Sequence, residues 1–98
     1  MTDTVFDRKA FEPLLSGGWT SVEGRDAITR TYRFANFVEA FGWMTQVALH
    51  AEKINHHPEW FNVYREVTVT LTTHDLGGLG PKDLQLAQVM DRLAGSAD

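Results

Sequence analysis

Ninety-eight residues, 43% of them hydrophobic and 11% aromatic, are enough for one globular domain over residues 1–98 and too few for a second. A formal net charge of -4 argues against direct contact with nucleic acid, and the absence of cysteine removes disulfides, thiolate nucleophiles and zinc–cysteine sites. No run approaches the roughly 18 apolar residues of a membrane span, and the start, Met-Thr-Asp-Thr-Val-Phe-Asp, lacks the basic and apolar regions of a signal peptide, so a cytoplasmic location is expected.

The first predicted element is a short helix over about 8–15, with Asp7 as N-cap and Gly17-Gly18 ending it. Residues 19–22 and 28–34 then flank the turn sequence Glu-Gly-Arg-Asp, and Ile28, Tyr32 and Phe34 alternate with Thr29, Thr31 and Arg33, as in a hairpin with one wet face. Asn36 is a good N-cap with Glu39 three residues on, which predicts a helix to about residue 53. Phe37, Ala40, Phe41, Met44, Val47, Ala48 and Ala51 form its expected core stripe. Val38, Trp43 and Leu49 fall partly outside it, as a wider core stripe or a second apolar face for another subunit. A second hairpin pairs residues 60–64 with 67–73 around Arg65-Glu66; Val67, Val69 and Leu71 alternate with Thr68, Thr70 and Thr72. The last helix opens after Gly80 with Pro81 at its first position, places Leu86, Val89, Met90 and Leu93 at core spacing, and stops at Gly95. The expected fold class is α+β: a four-stranded antiparallel sheet with three helices on one face, in the order α-β-β-α-β-β-α, its threonine face open.

Three of the four histidines lie in two short segments, His56-His57 after the long helix and His74 after the last strand. Imidazole gives and takes protons near neutral pH, so the cluster points to proton transfer. Pro58 holds His57 extended and should splay the adjacent rings apart, while helix capping is the bland use of such a pair. His74 shares strand parity with Thr68, Thr70 and Thr72, which would send it to the open face if the strand reached that far. His50 reads as structural or surface. The spacing matches no HExxH, HxH or i, i+4 metal pair, and Ser16, Ser21 and Ser96 lie in no nucleophile-elbow context. Gly77-Gly78-Leu79-Gly80 lacks the Lys-Ser/Thr of a phosphate loop and reads as a flexible turn. Trp60 is either core or a stacking platform, and Glu52, unfavourable for the helix dipole, is either a solvated acid or a group that orients a histidine or binds a ring N–H.

The run Glu52-Lys53-Ile54-Asn55-His56-His57-Pro58-Glu59-Trp60, followed by Asn62-Val63-Tyr64, Thr72-Thr73-His74-Asp75, Gly78-Leu79, Asp83 and Leu86-Ala87, resembles the pterin-4a-carbinolamine dehydratase family. The likeness takes in Trp19, Ile28, Arg30, Tyr32 and Phe34 and spans nearly the whole chain. It implies dehydration of 4a-hydroxytetrahydropterin to quinonoid dihydropterin, recycling the cofactor of aromatic amino-acid hydroxylases, with no metal or organic cofactor. It also implies His56, His57 and His74 as the catalytic set and pterin contacts from Glu52, the loop at residues 56–58 including Pro58, and the loop of Thr73, His74, Asp75 and Leu76. Asn55, Trp60 and Asp83 stand behind these. Relatives often carry Asp at the position of Asn55; if that Asp supports a histidine's charge, the amide should lower the imidazole pKa and shift the pH optimum. The resemblance further implies a homodimer or homotetramer built through sheet edges and helix faces. A different class of role also follows from it, that of a dimerisation cofactor for a transcription regulator.

Overall fold

Asp7 opens the described chain, residues 7–95 of a computed structural model, by accepting from the Lys9 backbone N–H (2.9 Å) at the head of a 3₁₀ turn, Arg8–Phe11. That turn runs into α1, Glu12–Ser16. Pro13 has no N–H with which to carry one helical ladder across the junction, so the single helix expected over 8–15 is divided in two. The leading residues used to judge a signal peptide, and Ser96, lie outside the described residues.

The strands are β1, Thr20–Ser21; β2, Ile28–Arg33; β3, Glu59–Val63; and β4, Glu66–Leu71. They form one antiparallel sheet in the order β1-β2-β4-β3, with β2 and β4 paired from Ile28↔Leu71 to Arg33↔Glu66. The last strand was expected to reach residue 73. It ends at Leu71 because its partner β2 begins at Ile28, and the next hydroxyl, Thr72, donates instead to the Asp26 carbonyl (2.9 Å). On the helix side Ile28, Tyr32, Val67, Val69 and Leu71 are fully buried. On the other side Thr31 and Thr68 share a hydroxyl hydrogen bond (2.9 Å) and Arg33 pairs with Glu66 (2.6 Å), so the threonine face is open as the alternation requires.

Two longer helices, α2 at Phe37–Lys53 and α3 at Pro81–Ala94, cover the apolar face. Asn36 caps α2 by accepting from the Glu39 N–H (2.9 Å), and Pro81 sits in the first turn of α3, both as the sequence dictates. The buried stripe of α2 is Ala40, Trp43, Val47 and Ala51, with Met44 and Ile54 beside it. Of the two readings of Trp43 the wider core stripe holds, and the expected stripe is corrected at Phe37 and Phe41, which are 47% and 56% exposed, and at Ala48, which is exposed as well. The helix is rotated toward its indole side, where Trp43 packs among Tyr32 (4.5 Å), Phe34 (5.2 Å) and Trp60 (6.4 Å) and donates from Nε1 to the Met90 carbonyl (3.1 Å). The two phenylalanines lie against each other (5.9 Å) outside the buried cluster, and Val38 and Leu49 are more exposed still.

One polar cluster interrupts this core. Asp91 on α3 accepts from Trp19 Nε1 (3.1 Å), from Arg30 (3.0 Å) and from the Tyr32 hydroxyl, and Arg30 lies over the Tyr32 ring (4.7 Å). Burial disfavours the Tyr32 phenolate, and the facing Asp91 carboxylate adds to this, so the phenol's pKa is pushed far above its ordinary value. An unfolded phenol ionises near pH ~10, whereas the folded one stays protonated. Its contribution to stability is therefore fully present below that pH and lost as the pH rises beyond it. Urea unfolding at pH 8 and pH 11 should show a smaller alkaline loss in Tyr32→Phe than in the unmodified chain; parallel losses would remove this phenol as a cause.

Candidate active site

The helix end that delivers the histidine pair is closed by a specific backbone device. The Asn55 N–H donates to the Glu52 carbonyl (3.1 Å) and the His56 N–H to the Ala51 carbonyl (2.9 Å), while Asn55 takes φ 54°. This is a Schellman closure, which needs a left-handed residue and commonly takes Gly or Asn there. The chain reverses at Asn55, so His56 turns inward, 9% exposed, and His57 stays outside. Asn55 lines the cleft but makes no side-chain hydrogen bond to either imidazole among the described residues; backbone conformation accounts for an amide at this position.

His56 is fixed by Asp83. Nε2 of the ring lies 2.5 Å from Oδ1 of the fully buried carboxylate, whose Oδ2 accepts from the Thr73 hydroxyl (2.6 Å) and the Gly80 N–H (2.9 Å). All three groups point donors at one anion, and the anion sits in the first turn of α3, where the helix dipole favours negative charge. With Nε2–H given to Asp83, Nδ1 is the ring nitrogen free to accept or donate. His57 is held more loosely, its Nε2 2.9 Å from Oε1 of the exposed Glu52.

His74 opens a 3₁₀ turn, His74–Leu76, beyond the end of β4, so strand parity does not set its direction. The expected flexible glycine turn is a pinned one. Thr73 and Gly78 form a two-way backbone bridge (2.9 and 3.2 Å), and Asp26 accepts from the Leu79 N–H (3.1 Å). A Cβ on Gly78 would stand 2.1 Å from Asp26 Oδ2, so only glycine lets the two loops approach this closely. Arg8 grips the same carboxylate (2.5 and 3.1 Å) and holds its pKa below the usual range.

His56, His57 and His74 thus line one open cleft of about 270 Å³, with Asn55, Thr73 and Asp75. Glu52 stands behind His57 and Asp83 behind His56, outside the cleft lining. Pro58 follows the pair without lining it, Leu76 turns to a neighbouring hollow with Pro81 and Lys82, and Trp60 packs against Trp43 on the helix side of the sheet. His50 lies in the last turn of α2, away from the cleft. The sequence reading missed Arg25, Glu59 and Thr72, which complete the lining; Arg25 and Glu59 are joined by two hydrogen bonds (2.9 and 2.8 Å). The one signal for Arg25 was a charged residue in a hairpin turn, which is ordinarily only solvated. Among the described residues no three His, Asp or Glu side chains converge as a metal-ligand group.

A two-layer α+β fold carrying an imidazole cleft pinned by a buried carboxylate is the class defined by these observations. The chain belongs to the pterin-4-alpha-carbinolamine dehydratase family: residues 4–93 match the family described as "Pterin 4 alpha carbinolamine dehydratase". It is 66% identical over 84 residues to a Roseobacter denitrificans protein named "Putative pterin-4-alpha-carbinolamine dehydratase", covering 86% of each chain. A Jannaschia relative of the same name is 63% identical over 92 residues, 94% of each. The crystal structure of a "transcriptional coactivator/pterin dehydratase" from Brucella melitensis superposes with a TM-score of 0.84 at 45% identity, covering 94% of this chain and 100% of that one.

The left-handed turn can be tested apart from any chemistry. Asn55→Gly should leave the urea midpoint within a few tenths of a kcal/mol of the unmodified protein, whereas Asn55→Val should cost roughly 1–2 kcal/mol, the strain of a β-branched residue in that conformation. Equal midpoints for Asn55→Val and Asn55→Gly would contradict the conformational explanation.

Proposed function

We propose that the protein dehydrates a 4a-hydroxytetrahydropterin to the quinonoid dihydropterin by histidine acid–base catalysis. The supporting observation is the convergence of three imidazoles from two loops on one cleft, with one of them oriented by a buried carboxylate. The reaction asks for little else. An acid protonates the departing hydroxyl, the C4a–O bond breaks, the N5 lone pair forms the C4a=N5 bond, and a base takes the N5 proton; one water leaves and no electrons are exchanged. His56, with its tautomer set by Asp83, offers Nδ1 for one end of this transfer. His74 has no side-chain hydrogen-bond partner among the described residues and supplies the other, and His57, on its Glu52 tether, can reach a hydroxyl on the opposite face of the ring. Thr73 and Asp75 supply polar contacts from the second loop. The product would return to the cofactor cycle of an aromatic amino-acid hydroxylase.

The same reading includes a homodimer or homotetramer. The outer edge of β3 is unpaired among the described residues, and Val38 and Leu49 are 77% and 69% exposed on the side of α2 away from the core. Gly42, Thr45 and Ala48 lie among them and leave room for a second helix to approach. That face would equally serve the coactivator role named for the Brucella protein, the second reading. Turnover of a carbinolamine distinguishes an enzyme from a pure interaction module, and capture of a helical partner in place of self-association would favour the latter.

Replacing His56 or His74 by alanine should lower turnover by roughly 10²-fold or more, the usual worth of a positioned acid or base. Near-normal rates in both folded variants would end the catalytic assignment. Turnover should also survive exhaustive chelation, since the transfer uses only side-chain protons; loss in chelator with recovery on adding one divalent ion would overturn that mechanism. Sedimentation at micromolar concentration should show an assembled species whose mass falls when Val38 and Leu49 are changed to Glu, and a monomer from the outset would refute self-association.

A further inference from the structure

His74 is the least secured of the three imidazoles. It is exposed and has no side-chain hydrogen-bond partner among the described residues, so the backbone of its loop, residues 73–78, decides where the ring stands. His56 differs, being held through its own ring by Asp83. The Thr73–Gly78 bridge closes the stem of the His74 loop, and the Thr73 hydroxyl ties that stem to α3. Neither joins the loop to the sheet, whose central ladder ends at Ile28↔Leu71, before the loop begins.

Asp26 makes that connection, and it does so on both legs of the loop. On the incoming leg the Thr72 hydroxyl donates to the Asp26 carbonyl (2.9 Å); on the outgoing leg the Leu79 N–H donates to Oδ2 of the same residue (3.1 Å). Asp26 lies in the β1–β2 turn just before β2 begins, so it carries the register of the sheet past the end of its ladder. A carboxylate on an open turn would ordinarily sample several rotamers. Here the Arg8 guanidinium takes both of its oxygens (2.5 and 3.1 Å), a two-point grip that fixes the carboxylate plane and keeps Oδ2 on Leu79. Gly78 is buried against the same carboxylate, and a Cβ there would have to displace it. The neighbouring pair Arg25–Glu59 resembles a fastener for the other loop. Both of its partners are about half exposed, however, and Glu59 is already placed by its pairing with Thr70 in the sheet, so that pair adds little.

The geometry points to Asp26 as a positioning residue for the reaction: by fastening both legs of the loop to the β1–β2 turn it sets where the His74 imidazole stands in the cleft, with Arg8 as the strut behind it. The inference rests on the dehydratase reading proposed above. Its test is a double-mutant cycle in kcat over the unmodified protein, Asp26→Ala, His74→Ala and the double variant. The Asp26 side chain is 42% exposed, so its removal opens no cavity. Asp26→Ala should lower kcat roughly tenfold while His74 is present, as displacement of a reacting group does, and by less than about twofold once His74 is gone. Asp26→Asn keeps an oxygen for the Leu79 N–H and should restore kcat to within about threefold of the unmodified protein. An equal loss in both backgrounds, no loss in the first, or no recovery with asparagine overturns the assignment.

Amide hydrogen exchange keeps this role apart from the dehydratase reading. In Asp26→Ala the Thr73 and Gly78 N–H groups should exchange roughly tenfold faster, the worth of one hydrogen bond, while the His56 N–H and the amides of α2 keep their rates. Faster loop exchange in a protein that never turns over a carbinolamine supports the fastening and defeats the dehydratase reading. Unchanged exchange at both loop amides, or additive losses in a working dehydratase, defeats the positioning role alone.

Discussion

The carboxylate of Asp83 is the constraint on which the site depends. It is fully buried, and burial of an anion is tolerated only where donors surround it. The three donors come from three pieces of chain: the imidazole of His56 after α2, the hydroxyl of Thr73 after β4, and the Gly80 N–H at the head of α3. No one of these segments could hold its geometry alone. His56 is pulled inward because an anion awaits it, and the loop bearing His74 is tethered through Thr73 to the same oxygen atoms.

A second anion on α3, Asp91, has a matching part in the core. It gathers Trp19, Arg30 and Tyr32 from the other half of the chain and ties α3 to β2 and to the segment before β1. One helix therefore carries both polar anchors, one for the cleft and one for the packing of sheet against helix. The apolar stripe between them, Leu86, Ala87 and Met90, seats the helix on α2 and the sheet. Burial supplies most of the attraction and the two carboxylates fix the placement.

What could be read from the sequence was whatever has a local cause. The Asn36 cap, Pro81 at a helix start, the Val/Thr alternation of β4 and the proximity of two histidines each follow from neighbours a few residues away. Phe37 and Phe41 were misplaced, and Trp43 was left between a wider core stripe and a second apolar face, because helical periodicity fixes which residues share a face and leaves open which shoulder of that face meets the sheet; the aromatic pocket of Tyr32, Phe34 and Trp60 decided it. Arg25 and Glu59, like Asp91 and its donors, are brought together by topology across 34 to 72 positions, and no spacing rule reaches that far. Asn55 was legible in principle, since an Asn just past the last turn of a helix is a left-handed closure by habit, but its place beside two histidines drew attention to charge instead.

Because Asp83 comes after every residue it organises, the order of synthesis matters. A nascent chain would display all three imidazoles, the whole sheet and α2 before the anion that arranges them had been made. Until residue 83 emerges and α3 docks, the His56 ring lacks its carboxylate partner and the second loop lacks its tie to that helix. The ordered cleft is therefore a property of the completed fold, since the Asp83 carboxylate that ties His56 and Thr73 together belongs to α3. In hydrogen-exchange terms, the backbone around both loops would share its protection with α3, even though neither loop belongs to that helix.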